Sequence, residues 1–145
     1  MENQDYTVRL TVQASPQEVF KQINRVTAWW TKNLQGDSEK LNDVFTVNFP
    51  GMHVSTQKLI ECIPDKKVTW MVTDSHLTFI QRKTEWTDTT IQFDISRNVK
   101  HTEVLFTHKG LNPAIECYGD CAKGWDYFIK GSLFKLLTEG TGTPE

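Results

Sequence analysis

The sequence predicts an α+β fold in which a curved antiparallel sheet of six to seven strands wraps around one long C-terminal helix. Apolar and polar residues alternate along most of the chain up to about residue 109, with turn-forming residues between the alternating segments. A short capped helix interrupts this alternation early, and a helical period of apolar residues replaces it near residue 120. A sheet that ends in one long helix can bury its apolar face by curling around that helix.

The chain begins with a predicted strand and a short helix. Alternation over residues 6–12 predicts a half-buried strand. Ser15 is a typical N-cap residue, Pro16 fits the first helical position, and Glu18 completes a capping box. We expect this helix to end near Arg25.

The pair Trp29 and Trp30 follows this helix closely. A single short helix buries too little apolar surface to close a core. We therefore expect the two tryptophans to begin a second short helix that seals one end of a larger structure.

Alternating apolar residues predict further strands near residues 44–49, 53–63, 68–72, 91–95 and 104–108. Turn-forming residues separate several of these segments, for example Pro50 and Gly51. The stretch 74–86 fits either another strand or a lid-like loop. The number of strands is therefore six or seven.

A long amphipathic helix is predicted over about residues 120–138, because apolar residues recur there at intervals of three and four. Gly140 provides the stop signal. Gly124 and Gly131 each cost the helix up to ~1 kcal/mol relative to alanine. We expect them to mark a close approach of the helix to the sheet, and we expect residues 141–145 to be frayed.

The composition fits a single domain over residues 1–145. The 16 Lys and Arg and the 18 Asp and Glu give a net charge of −2 without blocks of one sign. This distribution argues against binding to nucleic acid or to a membrane surface, and no segment reaches the roughly 18 apolar residues of a membrane span. The acidic first residues lack the apolar region of a signal peptide, so we expect a cytoplasmic protein.

The three cysteines, Cys62, Cys117 and Cys121, are an odd number in a chain without a glycosylation signal, so we expect reduced thiols. Cys117 and Cys121 would share one face of a helix. Two thiolates alone leave a tetrahedral metal ion open. We therefore predict neither a metal site nor a cofactor.

Four segments resemble the START-like superfamily, also called SRPBCC or Bet v-type, in their order and spacing. They are residues 12–20 with Trp29 and Trp30, residues 63–70, residues 102–110 and residues 124–133. Within the superfamily the sequence is similar to the branch related to the activator of the ninety-kilodalton heat-shock-protein ATPase. The resemblance covers nearly the whole chain and implies a helix-grip fold, which agrees with the pattern of strands and helices.

The resemblance implies several functions, because the superfamily includes lipid carriers, hormone receptors, cyclases and polyketide-processing enzymes. The main expectation is binding of a small apolar or amphipathic molecule in an internal cavity. One alternative is a small-molecule cyclase or hydrolase that uses the same cavity. The other is a co-chaperone-like interaction module that stimulates a heat-shock chaperone ATPase, with the chaperone as its partner.

The aromatic residues predict where this cavity lies. A sheet curled around one helix tends to leave a space, and apolar walls with few polar groups are typical of small-molecule sites. We expect the space between the sheet and the final helix, with Trp29 and Trp30 near the entrance. The predicted ligand contacts are Trp29, Trp30, Phe49, Trp70, Phe106, His108, Trp125 and Phe128.

His108 is the polar member of this set. Alternation places it on the same face as Val104 and Phe106, toward the final helix. It is either a buried histidine hydrogen-bonded to backbone, or a ligand contact or general base. We expect His53 and His76, at turn-like positions, to be solvated. Because no phosphate loop, metalloprotease motif or hydrolase motif is found, no catalytic residue is predicted.

Overall fold

The computed structural model describes residues 4–145. Seven strands within this range form one antiparallel sheet, in the order β1-β7-β6-β5-β4-β3-β2. The strands are β1 (Tyr6–Val12), β2 (Leu34–Gly36), β3 (Val44–Phe49), β4 (His53–Ile63), β5 (Lys67–Leu77), β6 (Thr90–Arg97) and β7 (Thr102–Lys109). Each strand from β2 onward pairs with the next one along the chain, and β1 pairs with β7. The predicted α+β fold is confirmed.

The first helix, α1 (Pro16–Asn24), begins as its capping signals predict. The Ser15 hydroxyl accepts a hydrogen bond from the backbone N–H of Glu18 at 3.1 Å. The helix ends one residue before Arg25, and a single 3₁₀ turn, Val26–Ala28, follows it.

Trp29 and Trp30 end this second helical segment rather than begin it, which corrects the prediction. Both side chains are buried, and the Trp29 Nε1–H donates to the carbonyl of Ile23 at 3.1 Å. Neighbouring residues of a helix point about 100° apart, so a helix through the pair would direct the two rings differently. Trp29 and Trp30 instead lie in the hydrogen-bonded turn that follows the 3₁₀ turn, and both rings enter the core from there.

The ambiguous stretch 74–86 divides at Leu77, where β5 ends. Its first part continues β5. The remainder belongs to the β5–β6 loop, residues 78–89, which contains turns but no further strand. The stretch therefore contains no additional strand, and the loop interpretation is correct for residues 78–86.

Two carboxylates fix the β5–β6 loop to the start of the C-terminal helix. Glu116 accepts hydrogen bonds from the backbone N–H groups of Gln81 and Arg82 at 2.8 and 3.0 Å. In return, Glu85 accepts from the N–H groups of Glu116 and Cys117 at 2.7 and 3.0 Å. The bonds from Gln81 and Arg82 hold the pKa of Glu116 below its usual value. The bonds to Glu85 satisfy amides that lie free at the start of the helix.

The C-terminal helix extends over residues 118–139, slightly beyond both predicted ends. It consists of α2 (Tyr118–Trp125), a π-helical segment (Asp126–Leu133) and α3 (Phe134–Glu139). Gly140 ends it in the left-handed conformation, at φ +85°. The sequence did not predict the π-helical segment, because apolar residues at intervals of three and four fit an ordinary α-helix equally well.

Gly124 and Gly131 do not mark a close approach of helix and sheet, which overturns that expectation. A Cβ atom added at either position would meet no atom within 4 Å. Gly131 is exposed, whereas Gly124 is half-buried and faces an open space. Packing against the sheet therefore does not require a glycine at either position.

Residues 141–145 fold back onto the molecule and are not frayed, which corrects a second expectation. The Thr143 N–H donates to the buried hydroxyl of Ser132 at 2.8 Å. The Glu145 N–H donates to the carbonyl of Trp30 at 3.0 Å, and the Lys32 N–H donates to the carbonyl of Glu145 at 3.1 Å. These backbone bonds join the end of the described chain to the segment that precedes β2.

The core lies between the inner face of the sheet and the C-terminal helix. It is one continuous cluster, in which the largest fully buried side chains are aromatic, among them Trp29, Trp70 and Phe106. Within residues 4–145, no helix is both long and apolar enough to cross a membrane.

Candidate functional site

All five tryptophans belong to one aromatic cluster. The rings of Trp29, Trp30 and Trp70 lie nearly parallel, with centroids 5.9–6.3 Å apart. Trp30 also contacts Trp125 at 5.0 Å, and Trp125 stacks on Trp86 at 5.7 Å. The cluster thus runs from the buried side of the sheet to the C-terminal helix.

An apolar cleft of about 190 Å³ opens where this cluster reaches the surface. The C-terminal helix forms one wall, with Cys121, Gly124, Trp125 and Phe128. The cleft lies between the helix and the sheet, which is the region the sequence predicts, but it is open on one side rather than enclosed.

The opposite wall comes from the sheet and its loops. Phe49 and His53 pair across the β3–β4 turn, and Met52 lies within that turn. Phe79 and Trp86 contribute from the β5–β6 loop, which the two carboxylates hold in place. Trp30 completes the wall, in contact with Phe49 at a centroid distance of 6.0 Å.

A row of polar residues runs inward from His53 along β4. His53 Nε2 lies 2.7 Å from the Ser55 hydroxyl, and the Gln57 amide donates to the same hydroxyl at 2.5 Å. Ser55 and Gln57 are buried, and no hydrogen bond within residues 4–145 satisfies the Gln57 amide oxygen. This row places hydrogen-bonding groups directly behind an otherwise apolar wall.

His53 keeps one ring nitrogen free of protein partners. Its Nε2 bonds the Ser55 hydroxyl, which can either donate to the ring or accept from it, whereas Nδ1 makes no hydrogen bond with any residue in 4–145. Burial lowers the pKa of His53 to about 4, so the ring is neutral at physiological pH. His53 therefore offers the cleft one uncharged polar group.

His108 lies deeper, and both of its ring nitrogens are engaged. Trp125 Nε1–H donates to Nδ1 at 3.0 Å, which leaves the ring proton on Nε2. Nε2 lies 2.9 Å from the hydroxyl of Thr89, which itself donates to the carbonyl of Trp86. Burial, with a smaller contribution from His53, lowers the pKa of His108 to about 3. His108 is thus a buried neutral histidine, bonded to side chains rather than to backbone.

Cys117 and Cys121 lie one helical turn apart and are buried. A hydrogen bond to Cys117 and burial raise the pKa of the Cys121 thiol, which stays protonated at neutral pH. Cys121 therefore contributes an uncharged sulfur to the cleft wall. Across residues 4–145, no group of three or more His, Cys, Asp and Glu side chains is arranged to hold a metal ion.

The charged side chains at the cleft are both acidic. Asp120, on the C-terminal helix, and Glu145 are exposed at the rim. No lysine or arginine in the described chain lines the cleft. A ligand that enters therefore passes two carboxylates.

The structure brings together half of the predicted contact residues. Trp30, Phe49, Trp125 and Phe128 line the cleft. The other four lie behind it, fully buried in the core, and do not line the cleft: Trp29, Trp70, Phe106 and His108. Alternation placed the three strand residues among them, Trp70, Phe106 and His108, on the inner face, but it does not show how deep each position lies.

Sequence reasoning missed most of the remaining wall, including Met52, His53, Phe79 and Gly124. The expectation that His53 is solvated is wrong, because the ring packs edge-on against Trp86 at a centroid distance of 4.6 Å. Its signal was the alternation of β4, which puts His53 on the same face as buried Ser55, Gln57 and Leu59.

Comparison with known proteins shows similarity in structure only. No family model matches the sequence, and no curated protein matches it. Among solved structures, the Aha1 dimer from Colwellia psychrerythraea is 24% identical, with a TM-score of 0.77, covering 98% of this chain and 100% of that one.

Two further structures carry the same arrangement. CalU16 from Micromonospora echinospora is 16% identical with a TM-score of 0.67, over 98% of this chain and 78% of that one. DynU16, from the dynemicin biosynthetic locus, is 14% identical with a TM-score of 0.65, over 94% of this chain and 48% of that one. These identities show the fold alone. The chain thus has a helix-grip fold like that of the Aha1 structure, as the sequence motifs predicted.

Proposed function

We propose that the protein binds a small apolar or amphipathic molecule in the cleft between the sheet and the C-terminal helix. The observation that carries this proposal is the cleft itself. Aromatic rings from four parts of the chain converge on it, and a neutral imidazole is the polar group within its wall. Such a combination of apolar surface and a few placed polar groups is typical of small-molecule sites.

The size of the cleft limits what it accepts. A dry apolar cavity of about 150 Å³ is sufficient for benzene. The cleft measures about 190 Å³, so its inner part has room for one or two fused rings. A longer molecule would project through the open side, between Asp120 and Glu145.

The enzyme alternative loses the residue on which it depended. A general base needs a free lone pair within reach of substrate. The Nδ1 lone pair of His108 accepts from Trp125, and the ring does not line the cleft. The co-chaperone alternative is favoured only by structural similarity to Aha1, and a pull-down with the heat-shock chaperone tests it directly.

Gly124 offers a direct test of ligand binding. Leucine at this position would project into the cleft without meeting any atom at its Cβ. Leucine is also a better helix former than glycine, by up to ~1 kcal/mol, so the variant should fold. We expect the parent to bind about one equivalent of the uncharged dye N-phenyl-1-naphthylamine in a fluorescence titration. Gly124→Leu should weaken the affinity for this dye at least about tenfold.

Gly131→Leu is the matched control. Gly131 lies on the same helix with the same freedom at its Cβ, but it is exposed and outside the cleft. We expect it to bind the dye within about twofold of the parent. Equal loss in both variants, or no binding by the parent, would contradict the proposed function.

A further inference from the structure

We propose that the ligand of this cleft is a planar aromatic molecule without negative charge, and that amines bind in preference to carboxylic acids. This inference rests on the proposed function and names the chemical class of the ligand. It follows from the charge at the rim, the absence of a compensating cation, and the orientation of the rings.

The rim attracts cations. Asp120 and Glu145 both line the opening, and their carboxylates form no ion pair within residues 4–145. Both side chains are exposed. A ligand carboxylate at the opening would meet two charges of its own sign.

Within residues 4–145, no side chain of the cleft wall offsets this charge. His53 is neutral, because burial lowers its pKa to about 4. Lys32 donates its backbone N–H to the carbonyl of Glu145, and Lys123 lies three residues after Asp120. Neither lysine lines the cleft. The amides of Glu116 and Cys117, at the start of the C-terminal helix, would favour an anion, but they already donate to Glu85.

The rings favour a flat ligand and also a positive charge. Trp86 and Trp125 are stacked within 15° of parallel, and Trp30 contacts Trp125. All three line the cleft. Planar rings pack well on such surfaces, and the electron-rich face of tryptophan attracts an ammonium group.

The test compares three ligands that share one ring system: 2-naphthylmethylamine, 2-naphthalenemethanol and 2-naphthoate. Binding is measured by calorimetry at pH 7 and low salt. Repulsion and attraction by the two rim carboxylates should separate the amine from the carboxylate by about tenfold or more, with the alcohol between them. Raised salt should narrow this separation, because the rim is exposed to solvent.

The double variant Asp120→Asn with Glu145→Gln isolates the cause. It should reduce the separation to less than about threefold while the affinity for the alcohol stays the same. If the alcohol binds but the carboxylate binds the parent as tightly as the amine, the inference is overturned and the proposed function stands. If the dye binds in a Gly124-dependent way but none of the three naphthalenes does, the preference for amines is overturned and the proposed function stands. If neither the dye nor any naphthalene binds, both fail together.

Discussion

Two neutral imidazoles contact one indole. The rings of His53 and His108 stand perpendicular to Trp86, at centroid distances of 4.6 and 4.7 Å. Water would stabilise a protonated imidazole, but this aromatic environment does not. Each ring is therefore held neutral, and the charge of one would further disfavour the charge of the other. The folded protein thus excludes protons that the unfolded chain binds.

The free energy of unfolding should therefore decrease as the pH is lowered from about 6.5 to about 4. Both pKa values, about 4 for His53 and about 3 for His108, lie below the ordinary value of 6.5. In this window the unfolded chain gains protons while the folded chain does not, so the free energy of unfolding decreases as pH falls. The loss from pH 6.5 to pH 5 should be about 1.6 kcal/mol for each histidine.

Urea denaturation at pH 7, 6 and 5 measures this effect. His53→Gln retains a hydrogen-bonding side chain that does not titrate, so its stability should fall about half as steeply as that of the parent. Parallel slopes for the parent and the variant would show that His53 is not held neutral by the fold.

At the scale of the element, the C-terminal helix changes from α-helical to π-helical winding and back. Its π-helical segment directs Ile129, Ser132 and Leu133 inward. The Ser132 hydroxyl donates to the carbonyl of Trp29 at 2.7 Å and accepts from Thr143. π-helical segments often accompany functional sites, and Phe128 of this one lines the cleft.

Leu133 lies on the buried face of this helix, and its neighbour Phe134 lies on a more exposed face. Leu133 is fully buried, whereas Phe134 is 38% exposed. Leu133→Asp places a carboxylate among apolar side chains and should lower the free energy of unfolding by about 3–5 kcal/mol. Phe134→Asp should cost about 1 kcal/mol or less. Thermal and urea unfolding compare the two variants, and similar losses would mean that the buried face of the helix is assigned incorrectly.

The elements follow from local signals more closely than the site does. The cap at Ser15 and the stop at Gly140 act within a few residues, so sequence alone placed them. The direction of Trp29 and Trp30, and the winding of the helix at Ser132, depend on partners about 100 residues apart in the chain. No periodic pattern reports such partners. The depth of Trp70 and His108 behind the cleft is likewise a property of the assembled sheet.

The whole molecule is closed by its last described residues. Residues 141–145 connect the C-terminal helix to the segment that follows Trp30, and Glu145 reaches the rim of the cleft. Sequence reasoning read this polar stretch as frayed because it contains no apolar period. Its order instead comes from backbone hydrogen bonds and from the fit of Gly142 against the carbonyl of Ala28.

Gly142→Ala tests this closure. A Cβ atom at Gly142 would overlap the backbone carbonyl of Ala28, which cannot move as a flexible side chain can, so residues 141–145 must shift. Overpacking of this kind typically costs about 1–3 kcal/mol. Gly119→Ala, where an added Cβ meets nothing within 4 Å, is the control and should be neutral or slightly stabilising.

In Gly142→Ala, hydrogen exchange should also become faster at the amides of Lys32, Thr143 and Glu145, which the closure protects. Unchanged exchange at these amides, together with parental stability in urea, would show that the segment does not hold the two parts of the molecule together.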